Sequence, residues 1–448
     1  MRFFGENFLV AGLKKSGVAA AELLLSHGAK VFLYERLETD LTRKNAEGLK
    51  KRGAVVLSKE EVGQVIERCR AVVLSPGVPI DDPISLLAHE KNVRVTGETE
   101  LAAYFLKAPA VAVTGTNGKT TTVTMISRIF GEAGITAPAL GNIGVPLSSR
   151  AEELGDKDVA VVEVSSFQLE TIRSFTPHVA VLTNFSEDHL NRHYTMANYR
   201  ALKKRLFFNL KESEYAVLNA EDALSREIAA ETKAHVCFFS SERKVDGAYL
   251  AGGFLWFKEE KLFPAASLAL KEKHNIENAL AAIAATKIFG VPTEAMLRAL
   301  SAFRGARHRM ELAGSVSGVT FVNDSKATNP ASALSAVRCM KKPTVLLVGG
   351  SDKGYSYLEL FRALENSAVR YVVIYGENRK RVEDDCRASG FSPFAVAEDL
   401  KEAVAVAKAV AKPGEVVLLS PASASFDAFS GYDERGEAFI RFALGGKA

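Results

Sequence analysis

The residues best able to do chemistry lie in one short stretch, Val111-Ala112-Val113-Thr114-Gly115-Thr116-Asn117-Gly118-Lys119-Thr120-Thr121. Its glycines let backbone N–H groups turn inward, and a helix starting at the lysine adds the positive end of its dipole. Lys119 can reach a terminal phosphate, and a threonine hydroxyl can bind the accompanying magnesium. That combination points to nucleotide phosphate binding. The strict spacing G-x-x-x-x-G-K-[ST] is not met, because Val113 stands five before Gly118 and Gly115 only three before it. The loop is a compact variant. The competing reading, a glycine-rich turn with an exposed lysine, is disfavoured by Gly-Lys-Thr-Thr at a strand-to-helix junction.

Other reactive residues follow the same strand-end pattern. Glu163 interrupts a near-continuous valine run from Asp158 to Val164. A buried carboxylate is costly unless it meets a cation, so Glu163 is a candidate magnesium ligand, with a buried salt bridge as the alternative. His189 follows the strand Val179 to Asn184 and joins Glu187 and Asp188, which favours metal-phosphate chemistry over a structural histidine. The Gly141-Asn142-Ile143-Gly144 turn places an amide near the nucleotide. Tyr199, Leu202 and Leu206 mark one face of a helix whose cations Lys203, Lys204 and Arg205 are expected on a solvated face or at phosphate. His274 to Asn278 opens an alanine-rich helix whose amides can read an adenine edge or serve as a polar helix start.

These residues need a scaffold. At 448 residues the chain exceeds one ordinary core, and three domains fit best. Apolar content of 47% and charged content of 25% are those of a soluble globular protein. A net charge of +4, with no basic stripe interleaved with aromatics, excludes a nucleic-acid-binding signature. No signal-peptide layout and no membrane-length apolar run are visible, so a cytoplasmic protein away from membranes is expected. The four cysteines, Cys69, Cys237, Cys339 and Cys386, lie too far apart to suggest a disulfide framework or a zinc site.

The expected class is α/β. Phe8-Leu9-Val10-Ala11, then Gly12 to Gly17, a helix to Ser26 and the strand Lys30 to Tyr34 before Glu35 form a Rossmann-like opening. Its fingerprint is degraded, which disfavours NAD. Ala71 to Leu74 ends in Ser75-Pro76-Gly77-Val78-Pro79, a turn where ligands tend to bind. A first domain should cover residues 1–97, a central parallel-sheet P-loop domain 98–304, and a second Rossmann-like domain 305–448. In the last, strands are expected at Val319 to Val322, Thr344 to Val348, Tyr371 to Ile374 and Val416 to Leu419. Polar clusters after them, Asn323 to Pro330, Gly349 to Lys353 and Ser420 to Asp427, point to a second ligand.

Taken together, these segments resemble the Mur ligases, ATP-dependent amide-forming enzymes of peptidoglycan precursor synthesis. The resemblance spans essentially the whole chain. It rests most specifically on Gly115 to Thr121, His274 to Asn278, His308-Arg309 and Asn323 to Asn329. Glu163 to Glu170, Tyr199 to Lys203 and Leu419 to Asp427 are most similar to the branch that adds D-glutamate to UDP-N-acetylmuramoyl-L-alanine. No Asp-Asn-Pro-Arg motif of the diaminopimelate-adding branch is present.

The resemblance implies ligation through an acyl phosphate, with ATP and two magnesium ions. Gly115, Thr116, Asn117, Gly118, Lys119, Thr120 and Thr121 would hold the phosphates. Asn275 and Asn278 would lie near adenine, Arg309 on phosphate and Asp324 near the ribose. One metal would sit on Thr120 or Thr121 with Glu163. The other would sit on His189 with a carbamylated Lys203, since an ammonium group has no lone pair to offer. Lys119, His189 and Lys203 would be the catalytic groups. D-glutamate would meet Thr328, Lys353, Ser425 and Phe426, with Tyr432 where the family pattern suggests phenylalanine. The UDP-sugar would meet Ser16, Glu35, Ser75 and Gly77, with Asn142 and Gln168 near its far end. A monomer is expected. A folylpolyglutamate synthase-like enzyme, a Mur ligase for another amino acid, and a nucleotide-dependent switch protein are the rival readings.

Overall fold

The computed structural model describes residues 2–305, 307–352 and 354–445, with the backbone alone at position 191. The chain forms two compact units, Met1–Phe303 and Arg304–Ala448. The first holds a five-stranded and a nine-stranded sheet, the second a six-stranded sheet.

The five-stranded sheet is parallel throughout, in the order Val55–Val56, Lys30–Tyr34, Asn7–Ala11, Ala71–Leu74, Arg94–Gly97. Its central strands are buried apolar runs, as expected when helices cover both faces. In the nine-stranded sheet, Ala110–Thr114 lies between Val179–Leu182 and Ala160–Glu163, parallel to both. That central position sends the phosphate loop, Glu163 and the residues after Leu182 to one carboxyl edge, where α/β proteins bind ligands. The helix Lys119–Glu132 follows the loop, and Val123, Ile126, Ile129 and Phe130 seat it against the sheet with no exposure.

The other end of this sheet departs from the parallel expectation. Gly247–Ala251, Phe254–Phe257 and Glu260–Pro264 form an antiparallel meander. Gly252 and Gly253, both with positive φ, supply the tight two-residue turn between the first two of these strands.

The six-stranded sheet runs Glu311–Val316, Val319–Asn323, Val416–Leu419, Thr344–Gly349, Val369–Tyr375, Phe394–Val396. It is parallel except for its first pair. The edge strands Glu311–Val316 and Phe394–Val396 are additions to the four expected, both short or polar enough to escape an apolar-run search. The α/β class with mostly parallel sheets therefore holds. Among the described residues no helix is long and apolar enough to cross a membrane.

Candidate active site

The phosphate loop is held by the neighbouring strand end. Thr116 N donates to Asn184 O (3.0 Å), Asn117 N to Asn184 Oδ1 (2.8 Å), and Thr183 Oγ1 to Asn117 O (2.6 Å). Gly118 takes the helix N-cap with φ 81°, a conformation costly for any residue with a Cβ. Lys119 Nζ donates to the carbonyls of Gly115 (3.0 Å) and Thr116 (2.8 Å), which keeps the ammonium over the loop.

Beneath it, Glu163 is buried and accepts from Thr120 Oγ1 (2.7 Å) and Asn142 Nδ2 (3.0 Å). The pair Thr120 and Glu163 thus already meets, with Asn142 turned onto the carboxylate. Asn278 is also buried, and its Oδ1 accepts from Thr122 Oγ1 (3.2 Å), so it braces the first turn of the loop helix. Asn275, at the start of Lys273–Lys287, donates to Glu272 Oε2 (2.9 Å).

Lys203 corrects the picture of a solvated cationic face. It is 1% exposed, and its Nζ donates to Gly115 O (2.8 Å) and Thr114 Oγ1 (3.0 Å), so it reaches the loop from below. Burial, reinforced by the Lys119 cation, holds its amine well below the usual lysine range, while Asp188 and Glu163 oppose this. The other two cations are engaged elsewhere. Lys204 pairs with Glu231 (2.6 Å), and Arg205 donates to the carbonyls of Leu169 (3.1 Å) and Glu170 (2.7 Å).

His189 has φ 54°, an uncommon conformation for a residue with a side chain. Its backbone N–H donates to Asp188 Oδ1 (2.8 Å), and its Nε2 lies 3.4 Å from Asp188 Oδ2. Burial lowers the imidazole pKa, Asp188 partly restores it, and Lys119 and Lys203 lower it further. Lys119, Glu163, Asp188, His189 and Lys203 therefore share one electrostatic neighbourhood. Among the described residues no three His, Cys, Asp or Glu side chains converge as a metal site, so any ion here needs threonine, lysine-derived or phosphate oxygens.

The first sheet presents a second turn of this kind. Gly12 has φ 87°, Ser75 Oγ donates to Gly12 O (2.7 Å), and Leu13 N donates to Glu35 Oε2 (2.8 Å). Ser16 lies in the first turn of the helix Lys15–Ser26. Gly77 sits in a turn closed by Val78 N to Ser75 O (2.9 Å). Ser75 and Gln168 line one narrow cleft with Val78, Glu98, Thr99 and Glu170, whereas Glu35 and Asn142 are absent from its walls.

In the second unit, Asp324 is buried, accepts from Ser420 Oγ (2.8 Å) and Met310 N (3.2 Å), and has its pKa raised to about 6 by burial, with the Arg309 charge opposing. Thr328 N donates to Lys326 O (3.0 Å). Ser425 is buried, Phe426 is 54% exposed, and the Tyr432 ring lies 5.2 Å from Lys326 Nζ. Lys353 lies outside the described residues.

Several supporting residues were given no site role from sequence. Thr114 meets Lys203, Asn184 frames the loop, and the Tyr199 hydroxyl lies 3.1 Å from Thr116 Oγ1. Arg192 forks onto Glu170 (2.9 and 2.5 Å) and also donates to Val78 O (3.1 Å). Arg435 is wholly buried. Its one sequence signal is its place on the stripe shared with Ala438 and Phe439, where helical spacing calls for an apolar residue.

Fold and site together define a multi-domain α/β protein with a compact phosphate loop, equipped for nucleotide-dependent group transfer. Residues 113–286 match the Mur ligase middle domain, and residues 308–423 match the Mur ligase glutamate ligase domain. The chain is 40% identical over 448 residues to the UDP-N-acetylmuramoylalanine–D-glutamate ligase of Pelotomaculum thermopropionicum, covering 99% of this chain and 98% of that one. It is 39% identical over 446 residues to the ligase of the same name from a Thermoanaerobacter species, with 98% of each covered. Among solved structures, the UDP-N-acetylmuramate-alanine ligase of Thermotoga maritima shares the fold with a TM-score of 0.64 at 20% identity, covering 99% of this chain and 100% of that one. The ADP complex of the MurF ligase from the same organism aligns with a TM-score of 0.57 at 14% identity, with 99% and 96% covered. The chain belongs to the Mur ligase family.

Proposed function

We propose that this protein is an ATP-dependent ligase that joins D-glutamate to the alanyl carboxylate of UDP-N-acetylmuramoyl-L-alanine through an acyl phosphate. The observation that carries the reading is the meeting of two lysines on one loop. Lys119 donates to it from above, and the buried Lys203 donates to it from below. In the first step the alanyl carboxylate oxygen bonds to the γ-phosphorus of ATP as the bond to the β-phosphate oxygen breaks and ADP leaves, so two anions must approach one another. Lys119, the amides of Gly115 to Thr121 and the helix start at Lys119 supply the compensating positive charge. The amine of D-glutamate then attacks the activated carbonyl, and phosphate leaves.

The donor set fits magnesium. Thr120 and Glu163 offer a hydroxyl and a carboxylate 2.7 Å apart, the hard oxygens that ion prefers. For a second ion the pair is His189 and Lys203. A lysine whose amine burial makes easier to deprotonate can, in its neutral form, take up carbon dioxide and become a carboxylate-bearing ligand. Magnesium held at these positions supplies charge neutralisation to the transferring phosphoryl group. His189, with its pKa lowered, stands ready as a neutral imidazole.

Residues 1–97 are assigned to the UDP-sugar through Ser16, Glu35, Ser75 and Gly77. Residues 98–304 are assigned to ATP, together with Asn142 and Gln168 toward the reacting end. Residues 305–448 are assigned to the amino acid through Thr328, Lys353, Ser425, Phe426 and Tyr432, with Arg309 and Asp324 serving the nucleotide. The working unit is a cytoplasmic monomer.

The test is phosphate release with purified protein, ATP and magnesium. Release should require both UDP-N-acetylmuramoyl-L-alanine and D-glutamate, and L-glutamate, L-lysine and diaminopimelate should not replace the latter. Phosphate release with ATP alone would instead mark a nucleotide switch.

A further inference from the structure

Arg435 is the bulkiest wholly buried side chain among the described residues, and the chemistry above makes no use of it. Its Nε donates to Ser325 Oγ (2.9 Å), one terminal nitrogen to the carbonyls of Ser423 (3.0 Å) and Ala424 (3.0 Å), and the other to Ser325 O (2.8 Å). Every one of these acceptors is neutral, and among the described residues no carboxylate lies within ion-pair distance of it. Asp427 and Asp324 act on the guanidinium only from beyond ion-pair distance, so its removal from water carries a desolvation cost that an apolar side chain of similar length would avoid. The charge is therefore held for its geometry.

That geometry joins three loops at the carboxyl edge of the six-stranded sheet. Ser325 follows the strand Val319–Asn323, and Ser423 and Ala424 follow Val416–Leu419. Gly350 follows Thr344–Gly349 and packs so closely that a Cβ there would lie 3.1 Å from the guanidinium. Ala424 O also accepts from Ser351 N (2.9 Å), which locks the second and third loops to each other. Ser325 Oγ passes the connection on to Tyr432 O (2.8 Å). The same loops carry Thr328, Ser425 and Phe426.

We propose that Arg435 is the positioning residue of the amino-acid pocket, its planar fork setting the spacing of three strand-end loops so that they receive both carboxylates of a dicarboxylic amino acid. The inference rests on the reading that these loops take D-glutamate. Lysine cannot replace it, because a single ammonium cannot serve four directed bonds in one plane.

The test compares Arg435→Lys and Arg435→Met with Ser425→Ala in the full ligase assay, alongside thermal melting. Both Arg435 variants should raise KM for D-glutamate on the order of tenfold to a hundredfold, the cost of a small misplacement, while KM for ATP and for the UDP-sugar stays within about twofold. Guanidinium chloride at low millimolar concentration should partly restore D-glutamate use to Arg435→Ala, an effect that a general folding defect would not show. A folded Arg435→Lys with unchanged KM for D-glutamate would overturn the proposal. If Ser425→Ala itself left that KM unchanged, the assignment of the pocket to these loops would fall instead.

Discussion

Two strand-to-helix turns in the first unit start from similar sequence and end with opposite electrostatics. Gly12 to Lys15 and Gly115 to Lys119 both leave a buried parallel strand, use a glycine with positive φ and enter a helix near a lysine. In the first, an acid from the next strand fills the turn, with Glu35 accepting from Leu13 N at 2.8 Å. In the second, the loop amide of Asn117 meets the neutral Asn184 side chain, and two lysines bind loop carbonyls. A carboxylate in the turn suits the hydroxyls of a sugar, from which it accepts hydrogen bonds, while the lysine-flanked loop suits a triphosphate. One supersecondary unit thus yields two specificities, according to which side chain its neighbouring strand delivers.

The most severe way to break this contrast is Lys119→Ala. Turnover should fall about a thousandfold, the usual cost of removing a charge-stabilising donor, with the melting temperature nearly unchanged. A phosphate-release assay decides this. Lys203→Met should also lower turnover, by about a hundredfold or more. Because it replaces a buried amine and its bonds to Gly115 O and Thr114 Oγ1 with an apolar chain of similar length, stability should stay within about 1–3 kcal/mol of the parent.

The same variant carries a pH signature. Lys203 is deprotonated more readily in the folded than in the unfolded chain, so below pH 10.5 the unfolded state binds more protons and stability rises with pH. That contribution is lost as pH falls through the folded pKa. Urea titrations across alkaline pH should show this slope in the parent and a shallower one in Lys203→Met.

Smaller effects sharpen the other side of the comparison. A Cβ at Gly17 would collide with the Gly12 carbonyl, so Gly17→Ala should cost about 1–3 kcal/mol in thermal unfolding. Glu35→Gln keeps an acceptor but removes the charge, and should cost about 1 kcal/mol in urea unfolding while the KM for ATP is unaffected.

Much of this was legible from residue order. Valine-rich runs ending in glycine and polar clusters gave the strand positions, because parallel strands buried on both faces must be apolar throughout. The residue types from Gly115 to Thr121 marked a candidate site at a strand-to-helix junction, and Glu163 stood out as an acid in an apolar strand. The antiparallel meander and the edge strand Glu311–Val316 were not legible, since half-exposed strands leave a weaker pattern.

Local sequence determined that a glycine- and lysine-bearing loop joins a buried strand to a helix, which elements surround it, and that acids and a histidine follow neighbouring strands. Only the tertiary structure decided that Lys203 is buried against that loop rather than on a solvated face, that Glu35 closes the first turn, and that Arg435 bonds two strand-end loops and packs against a third. Periodicity records which face of an element is apolar. It does not record which distant polar group a buried charge will meet, and that meeting sets both the desolvation cost and the resulting protonation state.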